Sequence, residues 1–329
     1  MGTEDSPWGM VVHATTESQI DILKQGRVGW IRTEVYFSEQ PGPGQLPPSW
    51  NYLINIVRAI RKPPQQEVYF GINLNYPKWI LDGNHDPLPS SQDWYKRLEH
   101  WGAFVKQVVT TFGPLGVKYF NIGNEPNDVH FFNYGPDPNK RLIYPGRDEY
   151  YDMLFMAAHV IHTAGYKVCA PDIATGEEHD PWDFLRGCLN RLRSFNQWLD
   201  VVTIHGYWGR TESLLNFILH LAPVLTVMRE YGVSAPVWLT ETGVSNLHFP
   251  SDPNRNAQRI KDLCQWIGDG AAPAWIPMGA LRSKFLKKIF FYVWDDDLPD
   301  KKYAWLTPAP DLKPMPHLWN AYKSVTGGT

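Results

Sequence analysis

The chain has few cysteines. Only Cys169, Cys188 and Cys264 occur among its 329 residues, and no two of them are spaced as CxxC. An odd, scattered set argues against a disulfide framework and against a metal site built from thiolates. Cys169 lies within an apolar run and is predicted to be a small core residue. The chemistry of the protein is therefore expected to depend on other side chains.

Long apolar runs are also missing, because no stretch approaches the roughly 18 residues that a membrane-spanning helix requires. We therefore expect no membrane partner. The first six residues are polar and acidic, unlike the start of a signal peptide. This start is compatible with an intracellular protein and with a secreted protein whose signal has been removed, and the sequence leaves both open.

An excess of positive charge is absent as well. The chain has 31 Lys and Arg against 34 Asp and Glu, which gives a formal net charge of -3. Without a basic surface, we expect no nucleic acid partner. No internal repeat, low-complexity tract or linker interrupts the sequence, and 43% hydrophobic content suffices for a large core. We predict a single domain over residues 1–329 and leave its oligomeric state open.

Aromatic side chains, in contrast, are abundant. They make up 14% of the chain, which includes 15 Trp and 16 Tyr. Flat apolar rings that carry a polar group suit surfaces that meet amphipathic ligands. Sugars are one such class, because their C–H faces pack on rings. The alternative is a large core that simply uses much tryptophan.

Short apolar runs alternate with longer amphipathic stretches from end to end. The short runs are rich in Val, Ile, Phe and Tyr without strict polar alternation, as in strands that are buried on both faces. Strands are predicted at residues 8–13, 28–37, 68–74, 117–123, 167–173, 201–207, 237–241 and 289–294. The clearer helices are predicted at residues 50–60, 94–112, 149–164, 211–231, 256–267 and 317–324.

Eight strands separated by helical segments indicate parallel βαβ units. An open, doubly wound sheet usually carries a glycine-rich phosphate turn after its first strand, but residues 13–17 contain no glycine. We therefore predict the α/β class and a closed (β/α)8 TIM barrel. Active sites of such barrels are built from the loops that follow the strands. The informative loops here are predicted at 127–146, 175–183 and 295–302, and segment 268–288 is not assigned.

Two of the predicted strands deliver a carboxylate at their C-terminal ends. Glu125 follows the strand at 117–123, and Glu241 ends the strand at 237–241. A charged group at such a place is costly to bury unless it is paired or used. The two strands come from opposite sides of the barrel, so both side chains can enter one cleft. Cleavage of a glycosidic bond needs such a pair, one carboxyl protonated and the other ionised.

These segments resemble a known group of enzymes. Asn124-Glu125-Pro126 and Thr240-Glu241-x-Gly243 look like the catalytic signatures of clan A glycoside hydrolases, (β/α)8 enzymes that retain the anomeric configuration. The resemblance is closer to family 39 and its relatives than to family 5, because the His that family 5 carries near the end of strand 3 is missing. It implies that Glu125 is the general acid/base and Glu241 the nucleophile.

The resemblance also implies roles for five further residues. Arg32, at the end of the second strand, would hold the nucleophile ionised. His205 and Tyr207, at the end of the sixth, would hydrogen-bond the nucleophile or the substrate. Asn124 would contact the sugar 2-hydroxyl, a hydrogen bond that strengthens in the transition state. Trp294 would be an aromatic platform under the sugar. For each of them, ordinary packing or an ordinary ion pair is the alternative.

Other acidic residues compete for these roles or suggest a metal. Glu34, Asp172 and Glu177 are rival carboxylates, and Glu34 is a candidate partner of Arg32 on the same strand face. The acidic run 295–297 could suggest a cation site, but three consecutive side chains point in different directions. No His-x-His pair follows the first strand, as a metal-dependent barrel hydrolase would have. We therefore predict no metal and no cofactor.

The sequence thus predicts a retaining β-glycoside hydrolase that acts by double displacement. Its partner would be an oligo- or polysaccharide, and the aromatic loop 127–146 favours endo action. Two alternatives stay open. One is a carbohydrate-binding barrel without catalytic activity, and the other is an exo-acting β-xylosidase or β-glucosidase.

Overall fold

A computed structural model of the chain describes residues 5–13, 16–77, 80, 91–128, 146–175, 180–207, 214–243, 253–269, 286–292 and 316–326. Eight parallel strands close into one barrel in sequence order, with the last strand paired to the first. The predicted (β/α)8 TIM barrel is confirmed. The strands are β1 (Trp8–Val11), β2 (Trp30–Tyr36), β3 (Glu67–Asn73), β4 (Tyr119–Ile122), β5 (Lys167–Ala174), β6 (Val201–His205), β7 (Val237–Thr242) and β8 (Leu286–Phe291).

Helices surround the barrel between the strands. They are α1 (Glu17–Gln25), α2 (Trp50–Arg61), α3 (Ser91–Phe112), α4 (Arg147–Thr163), α5 (Pro181–Ser194), α6 (Leu214–Leu221), α7 (Pro223–Glu230), α8 (Pro253–Asp269) and α9 (Pro316–Thr326), with 3-10 turns at Phe37–Glu39 and Gly113–Leu115. Their apolar stripes face the strands. In α2, for example, Trp50, Leu53, Val57 and Ile60 recur at helical spacing and are all buried.

Three helical segments differ from the sequence prediction in more than their end points. The segment predicted as one helix at 211–231 is two, because Pro223 has no N–H and starts α7 as its first residue. Helix α1 was not predicted, although a capping box joins Thr16 and Gln19. Helix α5 begins inside the predicted loop 175–183, where Asp180 accepts hydrogen bonds from the first N–H groups of the helix.

Aromatic rings fill the barrel interior at the N-terminal ends of the strands. Trp30 packs against Trp238 with ring centroids 5.0 Å apart, and Tyr119 lies 5.1 Å from Trp238. The Nζ atom of Lys288 lies 4.2 Å from the centroid of the Trp30 ring. The sequence predicts a start of strand β8 at 289, whereas the strand starts at Leu286. The cation–π contact stabilises the charge of Lys288, which the sequence pattern excluded from a buried strand.

Much of the tryptophan that suggested a ligand surface is core. Among the residues whose side chains the structure describes, six tryptophans are buried: Trp8, Trp30, Trp50, Trp101, Trp238 and Trp319. The indole N–H of Trp101 donates to the Met153 carbonyl at 2.8 Å. Replacing such a buried ring with alanine typically costs about 3 to 5 kcal/mol. For these six residues, the alternative of a tryptophan-rich core is correct.

Polar side chains replace the rings toward the C-terminal ends of the strands. Arg32, Asn121, Asp172, Thr203 and Thr240 are all buried there. Burial of so many polar groups is tolerated only when they are hydrogen-bonded to one another. Within the part of the chain that the structure describes, no helix combines the length and apolar character needed to cross a membrane.

Candidate active site

Glu125 lies in a tight turn directly after β4. Its backbone is in the left-handed region (φ 46°), as is that of Gly123 (φ 89°). At this φ any other residue at Gly123 would be strained, and its Cβ would lie 2.9 Å from the Leu74 side chain, so glycine is strongly favoured there. The left-handed conformation costs a residue such as glutamate roughly 1 to 2 kcal/mol. A hydrogen bond from its N–H to the Asp172 carbonyl at 3.0 Å helps to hold it.

Glu241 reaches the barrel mouth through an irregularity in β7. Ile204 is paired with Leu239, but the next residue of β6, His205, is paired with Glu241. Thr240 is therefore an extra residue, as in a β-bulge, a feature that often re-aims a side chain beside an active site. The hydroxyl of Thr240 donates to Asp172 at 2.5 Å, while the Glu241 carboxylate contacts Arg32.

The two glutamates lie close together. One carboxylate oxygen of each, together with a ring nitrogen of His205, falls within a group whose atoms are all within 4.8 Å of one another. His205 lies between them: its Nδ1 is 2.9 Å from Oε1 of Glu125 and 3.5 Å from Oε2 of Glu241. Retaining glycosidases hold their carboxyl groups about 5 to 5.5 Å apart, and inverting ones hold them about 6.5 to 9.5 Å apart.

Arg32 is buried in the centre of the site. Its Nη1 donates to Oε1 of Glu241 and, at 3.3 Å, to the Thr240 carbonyl. Its Nη2 donates to Oδ1 of Asn124 at 2.7 Å and lies 3.3 Å from Oδ2 of Asp172. Because arginine only donates, the oxygen of the Asn124 amide must face it, and the amide NH2 group is left as a donor for a ligand.

The other predicted residues divide into those at the site and those outside the described chain. Tyr207 donates its hydroxyl hydrogen to Oε2 of Glu241 at 2.6 Å. Glu34 lies 3.7 Å from Arg32, as its place on the same strand face suggested. Trp294 and Glu177 lie outside the described residues. So do residues 129–145 of the predicted loop 127–146 and the acidic run 295–297.

Asp172 is the central residue that the sequence analysis did not recognise, beyond naming it a rival carboxylate. It is fully buried on β5 and accepts hydrogen bonds from Tyr69 at 2.8 Å and from Asn121 at 2.7 Å. Its Oδ2 also lies 3.4 Å from Nε2 of His205. The strand is irregular here, and Asp172 has a left-handed backbone (φ 53°). A charged residue within an otherwise apolar strand was the available signal.

Burial and neighbouring charges move the pKa values of the two glutamates in opposite directions. Burial raises the pKa of Glu125 above its ordinary value, despite the opposing hydrogen bond from His205. Burial would also raise the pKa of Glu241, but the charges of His205 and Arg32 and the hydrogen bond from Tyr207 outweigh it and lower that pKa. Glu125 is thus disposed to stay protonated and Glu241 to stay ionised.

His205 adds a second positive charge to that of Arg32. Burial would lower its pKa, but the nearby carboxylates of Glu241 and Asp172 raise it to about 10. Nε2 also lies 3.3 Å from Nη1 of Arg32, from which only a neutral ring could accept a hydrogen bond. The surrounding carboxylates nevertheless favour the doubly protonated form. The positive charges of Arg32 and His205 thus face the carboxylates of Glu241 and Asp172, while burial favours a proton on Glu125.

The raised pKa of His205 predicts how stability depends on pH. A group whose pKa rises on folding stabilises the folded state fully at any pH below its pKa in the unfolded chain, which is roughly 6.5 for histidine. That stabilisation is lost as the pH rises through the folded-state pKa of His205, about 10. We expect the melting temperature to fall between these pH values and His205→Gln to flatten that fall. The exposed His159→Gln is the control. An equal slope in all three proteins would contradict the assignment.

The same three side chains are the one group of possible metal ligands among the described residues. Several contacts oppose a cation there. The guanidinium of Arg32 already contacts Glu241, and both nitrogens of His205 face carboxylates. A doubly protonated imidazole has no lone pair to offer a metal. These side chains therefore fit a proton-transfer and nucleophile pair better than a metal centre.

No protein-family model and no curated protein matches the sequence. Similarity appears among solved structures. A family 39 glycoside hydrolase from the gut symbiont Bacteroides cellulosilyticus WH2 has a TM-score of 0.67 at 17% identity, with 99% of this chain and 64% of that one covered. A family 39 β-xylosidase from Caulobacter crescentus has a TM-score of 0.62 at 14% identity, with 98% and 72% covered.

A psychrophilic family 10 endo-β-1,4-xylanase has a TM-score of 0.63 at 14% identity, and 97% of this chain and 96% of that one are covered. The chain thus spans nearly the whole xylanase but less than two thirds of the Bacteroides protein. At such identities the similarity establishes a common fold. The neighbours are glycoside hydrolases, in agreement with the resemblance to clan A and family 39 that the two glutamate motifs indicated.

Proposed function

We propose that the protein is a retaining β-glycoside hydrolase with Glu125 as general acid/base and Glu241 as nucleophile. One observation carries the proposal: two carboxyl groups with oxygens within 4.8 Å have pKa values displaced in opposite directions. Environments that separate the pKa values of a carboxyl pair assign acid and base roles. The short separation leaves no room for the water that an inverting mechanism places between its carboxyl groups.

In the first step, Glu241 attacks the anomeric carbon while Glu125 gives its proton to the leaving oxygen. The glycosidic C–O bond breaks, an ester bond forms between the sugar and Glu241, and the free alcohol departs. Tyr207 and Arg32 each hold one oxygen of the nucleophile. They therefore keep the carboxylate oriented and ionised before the attack.

In the second step, Glu125 takes a proton from water, and the water oxygen attacks the anomeric carbon of the ester. The bond between that carbon and Glu241 breaks, which releases the sugar and restores the Glu241 carboxylate. The negative charge of Glu241 is one of the causes that raise the pKa of Glu125. Ester formation removes that charge, so the pKa of Glu125 falls when the residue must act as a base. The same side chain can thus serve as acid and then as base.

Substrate-binding roles follow from the remaining contacts. The free NH2 group of Asn124 is proposed to donate to the sugar 2-hydroxyl, with the amide fixed by Arg32. Trp294 is proposed as the aromatic platform on the sequence resemblance. We propose a β-linked oligo- or polysaccharide as substrate and endo action on it. Several oligosaccharide lengths among early products would support endo action, and monosaccharide alone would contradict it.

The configuration of the first product tests the mechanism. We expect a proton NMR time course of hydrolysis to show the β-anomer first, followed by slow mutarotation. The 4-nitrophenyl β-glycosides of xylose, glucose, galactose and mannose, with xylan and mixed-linkage β-glucan, provide the substrates. Glu241→Gln, which keeps the shape of the nucleophile, is the control and should give no product.

Two outcomes would count against the proposal. An α-anomer as the first product would mean inversion, and no hydrolysis of any of these substrates would favour a carbohydrate-binding barrel without catalytic activity. Dialysis against a chelator should leave the rate unchanged, because the contacts of Arg32 and His205 with the carboxylates oppose a cation in the site.

A further inference from the structure

A cavity of about 560 Å³ lies at the end of the barrel opposite the glutamates. Its walls come from the C-terminal part of α5, from the connection that precedes β6 and from the connection that precedes β7. They include the apolar Leu189 and the aromatic Trp198 and Tyr231, together with polar Arg193 and Gln197. Connections before strands lie at the N-terminal ends of the strands. Strand β6 alone spans five residues, or roughly 16 Å, so the cavity is separate from the active site.

Trp198 forms an exposed but fixed surface in this cavity. It is 55% exposed, although exposing so large a ring forgoes the gain from burying it. One face is stacked on His162, with ring centroids 4.3 Å apart and planes 21° apart. The indole therefore has a defined orientation before any ligand arrives.

The support under Trp198 is itself held firmly. Nδ1 of His162 lies 2.9 Å from Oε1 of Gln197, and its Nε2 lies 3.0 Å from Oδ2 of Asp200. Burial would lower the pKa of His162, but these two hydrogen bonds outweigh it and raise it. A positively charged imidazole against an indole face is an attractive pair. Asp200 is held in turn by Lys167 at 3.0 Å.

We propose that this cavity is a second carbohydrate-binding site, with Trp198 as the platform on which a sugar ring of a polysaccharide stacks. The sugar chemistry follows from a flat aromatic ring beside polar side chains. Because its oxygen accepts from His162, Gln197 presents its NH2 group, and Arg193 adds further donors for hydroxyl oxygens. The identification of the ligand as a carbohydrate rests on the proposed function.

Charge argues against other ligands. Arg193 is the one basic side chain that lines the cavity, Asp200 is the acidic one, and the carboxylate of Asp200 is already paired. A nucleic acid would require a cluster of basic groups. A neutral polysaccharide with many hydroxyl groups needs no such cluster of charges. A chain held there would keep its other segments near the active site, which raises their effective concentration without touching the chemistry.

Affinity electrophoresis tests the site. The parent is Glu241→Gln, which should not consume the polymer, run through native gels that contain xylan, mixed-linkage β-glucan or galactomannan. We expect at least one polymer to retard it. Adding Trp198→Ala should weaken that binding about tenfold, equivalent to about 1.4 kcal/mol, while Trp198→Phe keeps a flat ring and most of the retardation. With Glu241 restored, Trp198→Ala should hydrolyse small aryl glycosides normally.

Phe195 supplies the matched control. It precedes the same strand, is 47% exposed and stacks on Phe155 instead of on His162. Phe195→Ala should leave the retardation unchanged. The inference is overturned if no polymer retards the parent, if Trp198→Ala is retarded like the parent, or if both alanine variants lose binding equally. Failure of the proposed function is recorded separately, as absence of aryl glycoside hydrolysis in the protein with Glu241 intact.

Discussion

Azide is expected to rescue Glu125→Ala and Glu241→Ala with products of opposite configuration. In Glu125→Ala, a substrate with a good leaving group needs no acid, so the ester with Glu241 still forms. Its hydrolysis slows because water has lost its base. Azide, which needs no base, should attack the ester and give a β-glycosyl azide, and the covalent intermediate should be visible by mass spectrometry of the intact protein.

Glu241→Ala has no nucleophile and can form no ester. Azide can then replace only the missing carboxylate, by direct attack on the substrate, which gives the α-glycosyl azide. Each variant should lose activity strongly, since general acid–base help contributes about 10² to 10⁴ in rate. The two anomers are distinguished by proton NMR, from the coupling constant between the protons on C1 and C2 of the sugar.

A buried glutamate at the other end of the barrel is the matched control. Glu67 begins β3 and is paired with Arg61 at 2.8 Å. Glu67→Gln should keep the wild-type rate on the folded protein and show no response to azide. A β-azide from Glu241→Ala, or near-normal rates in both active-site variants, would show that the two roles are wrongly assigned.

The barrel could be predicted because its signal is local and repeated. Each buried strand is a short apolar run, and each helix carries its own apolar stripe, so strand order in a closed barrel needs little more than counting. Glu125 and Glu241 were recognisable for the same reason. Each stands alone at the end of a buried strand, where a charge without a purpose would be costly.

The remaining site depends on features that a linear pattern does not contain. Asp172 is held by Tyr69 from β3, Asn121 from β4 and Thr240 from β7, and no spacing in the sequence brings these four together. Strand β7 contains an extra residue, so that Thr240 and Glu241, although consecutive, both contact residues of the barrel interior. This irregularity is visible only in the strand register. Register is a property of paired strands and not of one segment.

Tryptophan shows a similar limit. Trp30 and Trp238 fill the barrel, whereas Trp198 is exposed. Composition alone left both uses open and could not say which tryptophan serves which. The difference lies in the element that carries each ring. Trp30 and Trp238 point into the barrel from strands, whereas Trp198 lies on the connection before β6.

Asp172→Asn is expected to change the pH dependence of catalysis as well as the rate. Asp172 touches no proposed substrate atom and acts through Arg32 and His205, so we propose it as a positioning residue. Its own pKa is well below the usual range, because the charges of Arg32 and His205 outweigh its burial. Removing one member of such a buried charge cluster costs about 3 to 5 kcal/mol of stability.

The diagnostic effect comes through His205. The charge of Asp172 is among the causes that raise the pKa of His205 to about 10, so its loss should lower that pKa toward neutrality. A neutral His205 no longer helps to hold Glu241 ionised. We expect kcat/KM to fall at least about tenfold at neutral pH, since a pKa change of one is worth about 1.4 kcal/mol. The charge of His205 also lowers the pKa of Glu125, whose proton the first step requires, so its loss should move the alkaline limb of kcat/KM to higher pH.

Asp200→Asn controls for the loss of an aspartate beside a histidine. Asp200 contacts His162 at 3.0 Å, as Asp172 contacts His205, but it lies before β6 at the other end of the barrel. It should therefore lose stability without moving the pH profile on an aryl glycoside. The profiles are to be measured on protein shown to be folded by circular dichroism at each pH. If folded Asp172→Asn keeps both the wild-type rate and the wild-type alkaline limb, Asp172 only stabilises the barrel, and the charge of Glu241 with the hydrogen bond to Glu125 suffices to keep His205 protonated.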